Sequence, residues 1–235
     1  MSASEGDRRP ISQRSHGWAK WLTRVLVQSG VTPNFISFTG IVFAALAGLC
    51  FYAIALATSA GDRTLLCLGA ALFCQLRLLA NMMDGMVAVE GGKGGPDGPI
   101  WNELPDRFAD IFVLVGAGYG VAKLGLADAS LGWAAAVAAV MTAYVREVGR
   151  AAGAPADFSG PMAKPHRMFV MTMAAFITII DAPIGGAWVE FALTGIRSSD
   201  GDGAFIALAL WIVLIGATFT ALNRARRALA FVRKR

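Results

Sequence analysis

The sequence predicts an all-α polytopic membrane protein with six transmembrane helices, preceded by a juxtamembrane amphipathic helix. Of its 235 residues, 56% are hydrophobic and 16% are charged, whereas soluble domains are about 45–50% apolar. The mean hydropathy is +0.56. Apolar residues also form runs close to the ~20 residues that cross a bilayer core. These predicted spans cover residues 34–58, 64–83, 105–124, 130–149, 166–184 and 203–222.

The segment before the first span is predicted to have two parts. Residues 1–14 are polar and are expected to be disordered, and no cleavable signal peptide is visible in them. Residues 15–30 place Trp18 and Trp21 at helical spacing beside basic residues such as Lys20. This pattern favours an amphipathic helix in the membrane interface, with its tryptophans at headgroup depth. A helix that packs on the protein's own surface would show the same pattern.

Basic residues lie mainly on one side of the predicted membrane. They occur before the first span, in the loops after the second and fourth spans, and in a tail predicted over residues 225–235. The positive-inside rule therefore predicts that both termini face the cytoplasm, in what we expect to be a bacterial cytoplasmic membrane. This topology, together with anionic lipid, accounts for the net charge of +5. The sequence has no basic groove pattern with stacking aromatic residues, so nucleic-acid binding is not expected.

Three aspartates lie at the ends of the second and third predicted spans, on the predicted cytoplasmic side. Asp84 closes the second span. Asp106 and Asp110 follow Pro105, which we expect in the first turn of the third. Ionisable residues in membrane spans are energetically expensive and are usually functional. With the amide oxygen of Asn81, these carboxylates favour Mg²⁺, Mn²⁺ or Ca²⁺ as hard ligands. The cluster therefore predicts metal-assisted phosphoryl transfer on a lipid phosphate.

Small and basic residues near the aspartates are further candidates for the site. Gly85 and Ala88 leave room for a phosphate or a nucleotide to approach the helix. Arg77 shares a helix face with the second-span aspartate, where it either snorkels to the interface or joins the acidic residues. Lys164 and Arg167, before the fifth span, either bind an anion or only reflect positive-inside charge.

A transport pathway is an alternative from another functional class, because acids within spans also line ion and proton routes. Here the aspartates gather at one membrane face instead of crossing the membrane, and no inverted repeat is visible. Phosphoryl transfer is therefore the favoured interpretation.

Two motifs in this region resemble the signature of the CDP-alcohol phosphatidyltransferase family, D-x-x-D-G-x-x-A-R followed by G-x-x-x-D-x-x-x-D. The corresponding segments are Asn81-x-x-Asp84-Gly85-x-x-Ala88-Val89 and Asn102-x-x-x-Asp106-x-x-x-Asp110. The start of the first span, Thr32-Pro33-Asn34-x-Ile36-Ser37-x-x-Gly40, is similar to the family as well, and so is the six-span layout. The likeness covers nearly the whole chain, with the phosphotransferase domain expected over residues 31–224.

The resemblance implies a homodimeric helical enzyme with a polar cavity open to the cytoplasm. In the implied reaction, the hydroxyl of a small alcohol attacks the β-phosphorus of a CDP-linked lipid, most often CDP-diacylglycerol, and CMP leaves. Asn81, Asp84 and Asp106 would bind metal, and Asp110 would bind a second ion and deprotonate the alcohol. The cofactor would be Mg²⁺ or Mn²⁺, with two ions in the site. The substrate-binding residues that the resemblance implies are Asn34, Gly85, Ala88, Lys164 and Arg167.

The chain departs from the signature at three positions. Asn81 replaces an aspartate, Val89 replaces the arginine and Asn102 replaces a glycine. Fewer carboxylates weaken the binding of a hard divalent ion, and Glu103 and Arg77 are candidates to restore the lost charges. A catalytically silent relative that binds lipid or nucleotide is therefore a further alternative. The sequence does not specify the acceptor alcohol, although the basic segment before the fifth span favours a phosphorylated one.

Overall fold

The computed structural model describes residues 16–93, 95–195 and 202–234. Within these ranges the chain is helical and contains no strand, which confirms the predicted all-α class. The predicted disordered segment, residues 1–14, lies outside them. The α-helices are α1 (Gly17–Gln28), α2 (Pro33–Ala53), α3 (Ala60–Glu90), α4 (Gly98–Lys123), α5 (Ser130–Ala151), α6 (Lys164–Asp181), α7 (Ala187–Thr194) and α8 (Ala204–Val232).

The amphipathic helix α1 packs against the C-terminal part of α3. Its inner face buries Ala19 and Thr23, and the Thr23 hydroxyl lies 3.8 Å from the sulfur of Met86. Trp18 and Trp21 stay exposed on the outer face. The helix therefore packs on the protein's own surface and also presents its tryptophans outward, so features of both predicted alternatives are present.

The start of α2 follows from its capping residues. Thr32 accepts a hydrogen bond from the amide nitrogen of Phe35 at 3.3 Å, and Pro33 occupies the first turn. Proline is tolerated there because the first helical N–H groups have no partner within the helix. The helix thus begins at the Thr32-Pro33-Asn34 segment, where the first span was expected to start.

The start of α4 differs from the prediction. The helix begins at Gly98, with Pro99 in its first turn, so Pro105 lies inside the helix. A proline inside a helix removes one backbone hydrogen bond and crowds the preceding turn, and α4 nevertheless continues through Pro105 to Lys123. The consequence is that Asp106 lies about two turns inside α4 instead of at its beginning.

Among the described residues, four helical segments are long and apolar enough to cross a membrane, namely α2 with its short 3₁₀ extension, α3, α5 and α8. The bent pair formed by α6 and α7 would make a fifth. The chain is thus a membrane protein with four to five candidate spans, and the predicted six are not confirmed as six. In α4 the charged residues lie in the first half, apart from Lys123 at the C-terminal end. The uncharged stretch from Ile111 to Ala122 is shorter than the ~20 residues of a full span.

The fifth predicted span is not one straight helix. α6 ends at Asp181, a π-helical segment covers Ala182–Gly186, and α7 continues at an angle of 116° to α6. Sharp bends in helices occur at π-bulges and at glycine or proline, and this segment reads Ala-Pro-Ile-Gly-Gly. By contrast, α8 extends to Val232, through most of the segment predicted as a basic tail.

Glycines let α4 pack closely against α2 and α5. A Cβ atom on Gly116 would lie 2.4 Å from the carbonyl oxygen of Gly48, and one on Gly118 would lie 2.6 Å from the Cα atom of Gly132. Small residues at such crossings are typical of membrane bundles, where the backbones of neighbouring helices touch. These contacts hold α4, which carries Asp106 and Asp110, against α2 and α5.

We expect Gly118→Val to lower the free energy of unfolding by about 3 kcal/mol, because the added side chain overlaps the backbone of α5 and the helices must separate. The measurement is the thermal unfolding midpoint of the purified protein in detergent. Gly17→Val is the matched control, since nothing lies within 4 Å of a Cβ at Gly17. Equal midpoints for the two variants would contradict the close α4–α5 contact.

Candidate active site

The predicted site residues of α3 and α4 meet at one end of the bundle, close to the loop that joins the two helices. We call Asn81, Asp84, Asp106 and Asp110 the acidic cluster. Since α3 and α4 follow each other through a short loop, the end of one faces the beginning of the other. The cleft between them is lined by residues of α2, α3 and α4, which are Ser37, Gly40, Ile41, Arg77, Asn81, Asp84, Pro105, Asp106 and Ala109.

Asp84 is held in a fixed orientation by two donors. Its Oδ2 atom accepts a hydrogen bond from the Ser37 hydroxyl at 2.7 Å, and its Oδ1 atom accepts one from the backbone N–H of Gly85 at 2.5 Å. Ser37 was not assigned to the site from the sequence. The available signal was its hydroxyl within the apolar first span, one helical turn before Gly40.

Asp106 lies at the centre of a ring of polar contacts between three helices. Its Oδ1 atom accepts a hydrogen bond from the amide nitrogen of Asn81 at 3.1 Å. The ammonium of Lys164, at the start of α6, bonds to its Oδ2 atom and also donates to the amide oxygen of Asn81 at 2.6 Å. The Asn81 amide therefore donates to a carboxylate through its nitrogen and accepts from a lysine through its oxygen.

Asp110 is fully buried and forms an ion pair with Arg167 of α6. The Arg167 Nη2 atom lies 2.6 Å from the Asp110 Oδ2 atom. Arg167 also donates to the carbonyl oxygen of Met162 at 2.8 Å and to the Thr142 hydroxyl at 3.4 Å. The Oδ1 atom of Asp110 accepts no hydrogen bond from the described residues, and the Nη2 atom of Arg77 lies 3.5 Å from it.

Arg77 joins the acidic cluster and does not snorkel to the interface. Its side chain is 1% exposed, and its Nη2 atom lies 3.4 Å from Asp106 and 3.5 Å from Asp110. With Lys164 and Arg167, it gives three cationic side chains facing three carboxylates. The cluster is therefore electrically balanced by the chain's own residues, which is how buried charges are accommodated at low dielectric.

Glu103 lies outside the acidic cluster. Its carboxylate pairs with Arg107 on the same helix at 2.6 Å and with Arg146 of α5 at 2.5 Å. Arg146 also stacks over the ring of Phe158, 4.9 Å from its centre. The expectation that Glu103 restores the charge lost at Asn81 stays a prediction, and its contacts instead join α4 to α5.

The predicted substrate-binding residues of α2 and α3 are not among the residues that line the cleft. Gly85 and Ala88 are half-buried on α3. Asn34 donates to the carboxylate of Asp97, just before α4, at 3.1 Å. Lys93, in the same loop, lies within 3.5 Å of the carbonyl oxygens of Val27 and Val31. The loop between α3 and α4 is thus tied to the joint between α1 and α2.

The donor chemistry of the acidic cluster suits a divalent metal ion. Carboxylate and amide oxygens are the ligands that Mg²⁺ and Mn²⁺ prefer, and the Oδ1 atom of Asp110 is a buried acceptor without a hydrogen bond from the described residues. Among all described residues, no three acidic, histidine or cysteine side chains are arranged as the ligands of one metal ion. Lys164 and Arg77 share the oxygens of Asp106 that an ion would need.

By sequence, no family model and no curated protein matches the chain. By structure, it resembles the phosphatidylinositol phosphate synthase of Mycobacterium tuberculosis, in three separate structures. The complex of that synthase with manganese and citrate has a TM-score of 0.65 at 17% identity, and the match covers 88% of this chain and 87% of that one.

The structure of the synthase with CDP-DAG bound has a TM-score of 0.63 at 18% identity, over 88% of this chain and 91% of the synthase. The apo form has a TM-score of 0.61 at 17% identity, over 87% and 93%. The chain therefore has the fold of these synthases, and its low identity to them is consistent with a divergent member of the CDP-alcohol phosphatidyltransferase family that its aspartate motifs resemble.

Proposed function

We propose that the protein is a membrane-embedded CDP-alcohol phosphatidyltransferase of phospholipid synthesis. The observation that carries the proposal is the convergence of Asp84 and Asp106 in one cleft, beside the buried Asp110, in a fold that binds CDP-DAG in a structural neighbour. The acids gather at one end of the bundle, as a site for a phosphate at headgroup depth requires. A transport pathway would need polar groups that continue through the bundle.

In the proposed reaction the hydroxyl oxygen of the acceptor forms a bond to the β-phosphorus of the CDP-linked lipid. The bond from that phosphorus to the oxygen of the cytidine phosphate breaks, and CMP leaves with the electron pair. The hydroxyl proton would pass to the carboxylate of Asp110, the base that the resemblance implies. Asp110 is fully buried against Arg167, so this step requires the ion pair to open toward the cleft. The Oδ1 atom of Asp110, which accepts no hydrogen bond from the described residues, would take the proton. No phosphorus–oxygen bond is lost in total, since one forms as the other breaks.

The chain's own residues orient the two substrates. Asp84 and Asp106 would hold Mg²⁺ or Mn²⁺. The resemblance adds Asn81 as a ligand and implies two ions. A bound divalent ion supplies positive charge against the diphosphate of the donor. Gly85, Ala88 and Asn34 would contact the cytidine diphosphate moiety, as the resemblance implies.

The acceptor's side of the site is the basic start of α6. Lys164 and Arg167 would bind an anionic group on the acceptor. Because Lys164 pairs with Asp106 and Arg167 pairs with Asp110, each would reach that group through a shift of its ion pair. This arrangement favours an acceptor that carries a phosphate. Both termini and the cleft would face the cytoplasm of a bacterium, and the chain would work as a homodimer.

The proposal is tested by CMP release from purified protein. The reaction contains CDP-diacylglycerol, Mg²⁺ or Mn²⁺, and one alcohol at a time, including glycerol phosphate, inositol phosphate, inositol and serine. We expect metal-dependent CMP release with one phosphorylated alcohol. Absence of CMP with every acceptor would reject the enzyme, and thermal stabilisation by metal and CDP-diacylglycerol without turnover would identify the silent relative.

A further inference from the structure

We propose that the ammonium of Lys164 fills the place of one divalent cation, so that the site takes up one Mn²⁺ or Mg²⁺ ion instead of two. This inference rests on the proposed function for the nature of the donor substrate. It concerns the departure of this chain from the expected ligand set, namely the neutral Asn81 in the position of an aspartate.

The contacts of Asn81 match an ammonium better than a metal ion. Its amide oxygen, the only atom of the side chain that can bind a metal, accepts a hydrogen bond from Lys164 at 2.6 Å. Its amide nitrogen donates to Asp106 at 3.1 Å. An aspartate at this position has no N–H to donate, and its carboxylate would face that of Asp106. The asparagine and the lysine therefore form a matched pair around one carboxylate.

The position of Lys164 is defined by packing and is not that of a free surface lysine. Its side chain is 17% exposed, and it sits between α3 and α4 although it belongs to α6. A largely desolvated ammonium needs anionic or strongly accepting partners, and Asp106 and Asn81 provide them. The lysine consequently supplies to Asp106 the positive charge that a second metal ion would bring.

The charge of the cluster also favours a single ion. Asp84, Asp106 and Asp110 are already matched by Arg77, Lys164 and Arg167. Two divalent ions would add four positive charges to a buried and neutral cluster, which is unfavourable at low dielectric. One divalent ion adds two, which the diphosphate of a CDP-linked lipid neutralises. We therefore expect the ion and the nucleotide lipid to strengthen each other's binding.

The experiment counts Mn²⁺ ions bound per chain. Purified protein in detergent is titrated with Mn²⁺, with and without CDP-diacylglycerol, and the free ion is measured by electron paramagnetic resonance. We expect one bound ion in the wild type, with higher affinity when the lipid is present. Lys164→Met should admit a second ion, and Asn81→Asp combined with Lys164→Met should bind that second ion roughly tenfold more tightly than Lys164→Met alone.

Lys93→Met is the matched control, because Lys93 contacts the carbonyl oxygens of Val27 and Val31 and lies outside the acidic cluster. It should bind one ion, as the wild type does. Two ions in the wild type, no ion at millimolar Mn²⁺, or an unchanged count in both Lys164 variants would overturn the proposal. A single bound ion in a protein that releases no CMP would reject the proposed function and leave the ion count standing.

Discussion

Asp106→Asn should reduce CMP release by about a thousandfold, a loss of the size seen when a charged group that acts on the reacting atoms is removed. Asp106 is the carboxylate that lines the cleft and contacts Asn81, Lys164 and Arg77 at once. Its neutral replacement keeps the shape and can still accept hydrogen bonds. The negative charge that would bind a metal ion is lost. The measurement is the initial rate of CMP release at saturating CDP-diacylglycerol.

Asp157→Asn is the control for this prediction. Asp157 also forms an ion pair, with Arg227 at 2.6 Å, but it lies in the loop between α5 and α6 and outside the acidic cluster. Its variant should release CMP at the wild-type rate. The catalytic role of Asp106 would be refuted if Asp106→Asn kept more than about a tenth of the wild-type rate with an unchanged unfolding midpoint.

Arg167→Met should lower the free energy of unfolding by roughly 3–5 kcal/mol, the usual effect of removing one partner of a buried ion pair. Arg167 is 1% exposed and Asp110 is 0% exposed, so the variant leaves a carboxylate inside the bundle. Within the described ranges its remaining counter-charge is Arg77, 3.5 Å away. It also removes the donor to the carbonyl oxygen of Met162. Unfolding is followed in mixed detergent and SDS micelles.

The double variant Arg167→Met with Asp110→Asn separates the buried charge from loss of packing. If the unbalanced carboxylate is the cause, the double variant should be more stable than Arg167→Met alone, and the difference measures the coupling between the two residues. Arg226→Met, at an exposed position of α8, should be close to the wild type. A double variant no more stable than the single one would show that packing, and not charge, is responsible.

The sequence was sufficient for the helical class and for the position of the acids along the chain. Long apolar runs predict helices that satisfy their own backbone hydrogen bonds in lipid. Pro105 was wrongly predicted in the first turn of α4, because Pro99 and Pro105 are both able to begin a helix and Pro99 does so. The bend after α6 was missed because a hydropathy run does not distinguish a straight span from one interrupted at Ala182–Gly186.

For the acidic cluster as well, the sequence predicted the positions of residues along each helix but not the contacts between helices. Helical spacing placed Arg77 on the face of Asp84, and the signature placed Asp106 and Asp110 one turn apart, since both are properties of a single helix. The partners of those acids come from other helices. The sequence left open whether Lys164 and Arg167 bind an anion or only carry topological charge. The structure showed that both side chains reach from α6 to α4, where they pair with Asp106 and Asp110.

The sequence by itself therefore determined a helical membrane protein with a group of hard oxygen ligands at one end of two consecutive helices. Only the tertiary structure decided how those ligands are neutralised, because ion pairs between α4 and α6 depend on the packing of segments more than fifty residues apart. The same packing gave Asn81 a lysine as its partner. Local spacing describes which residues share a face, whereas electrostatic balance in a buried cluster depends on every helix that reaches it.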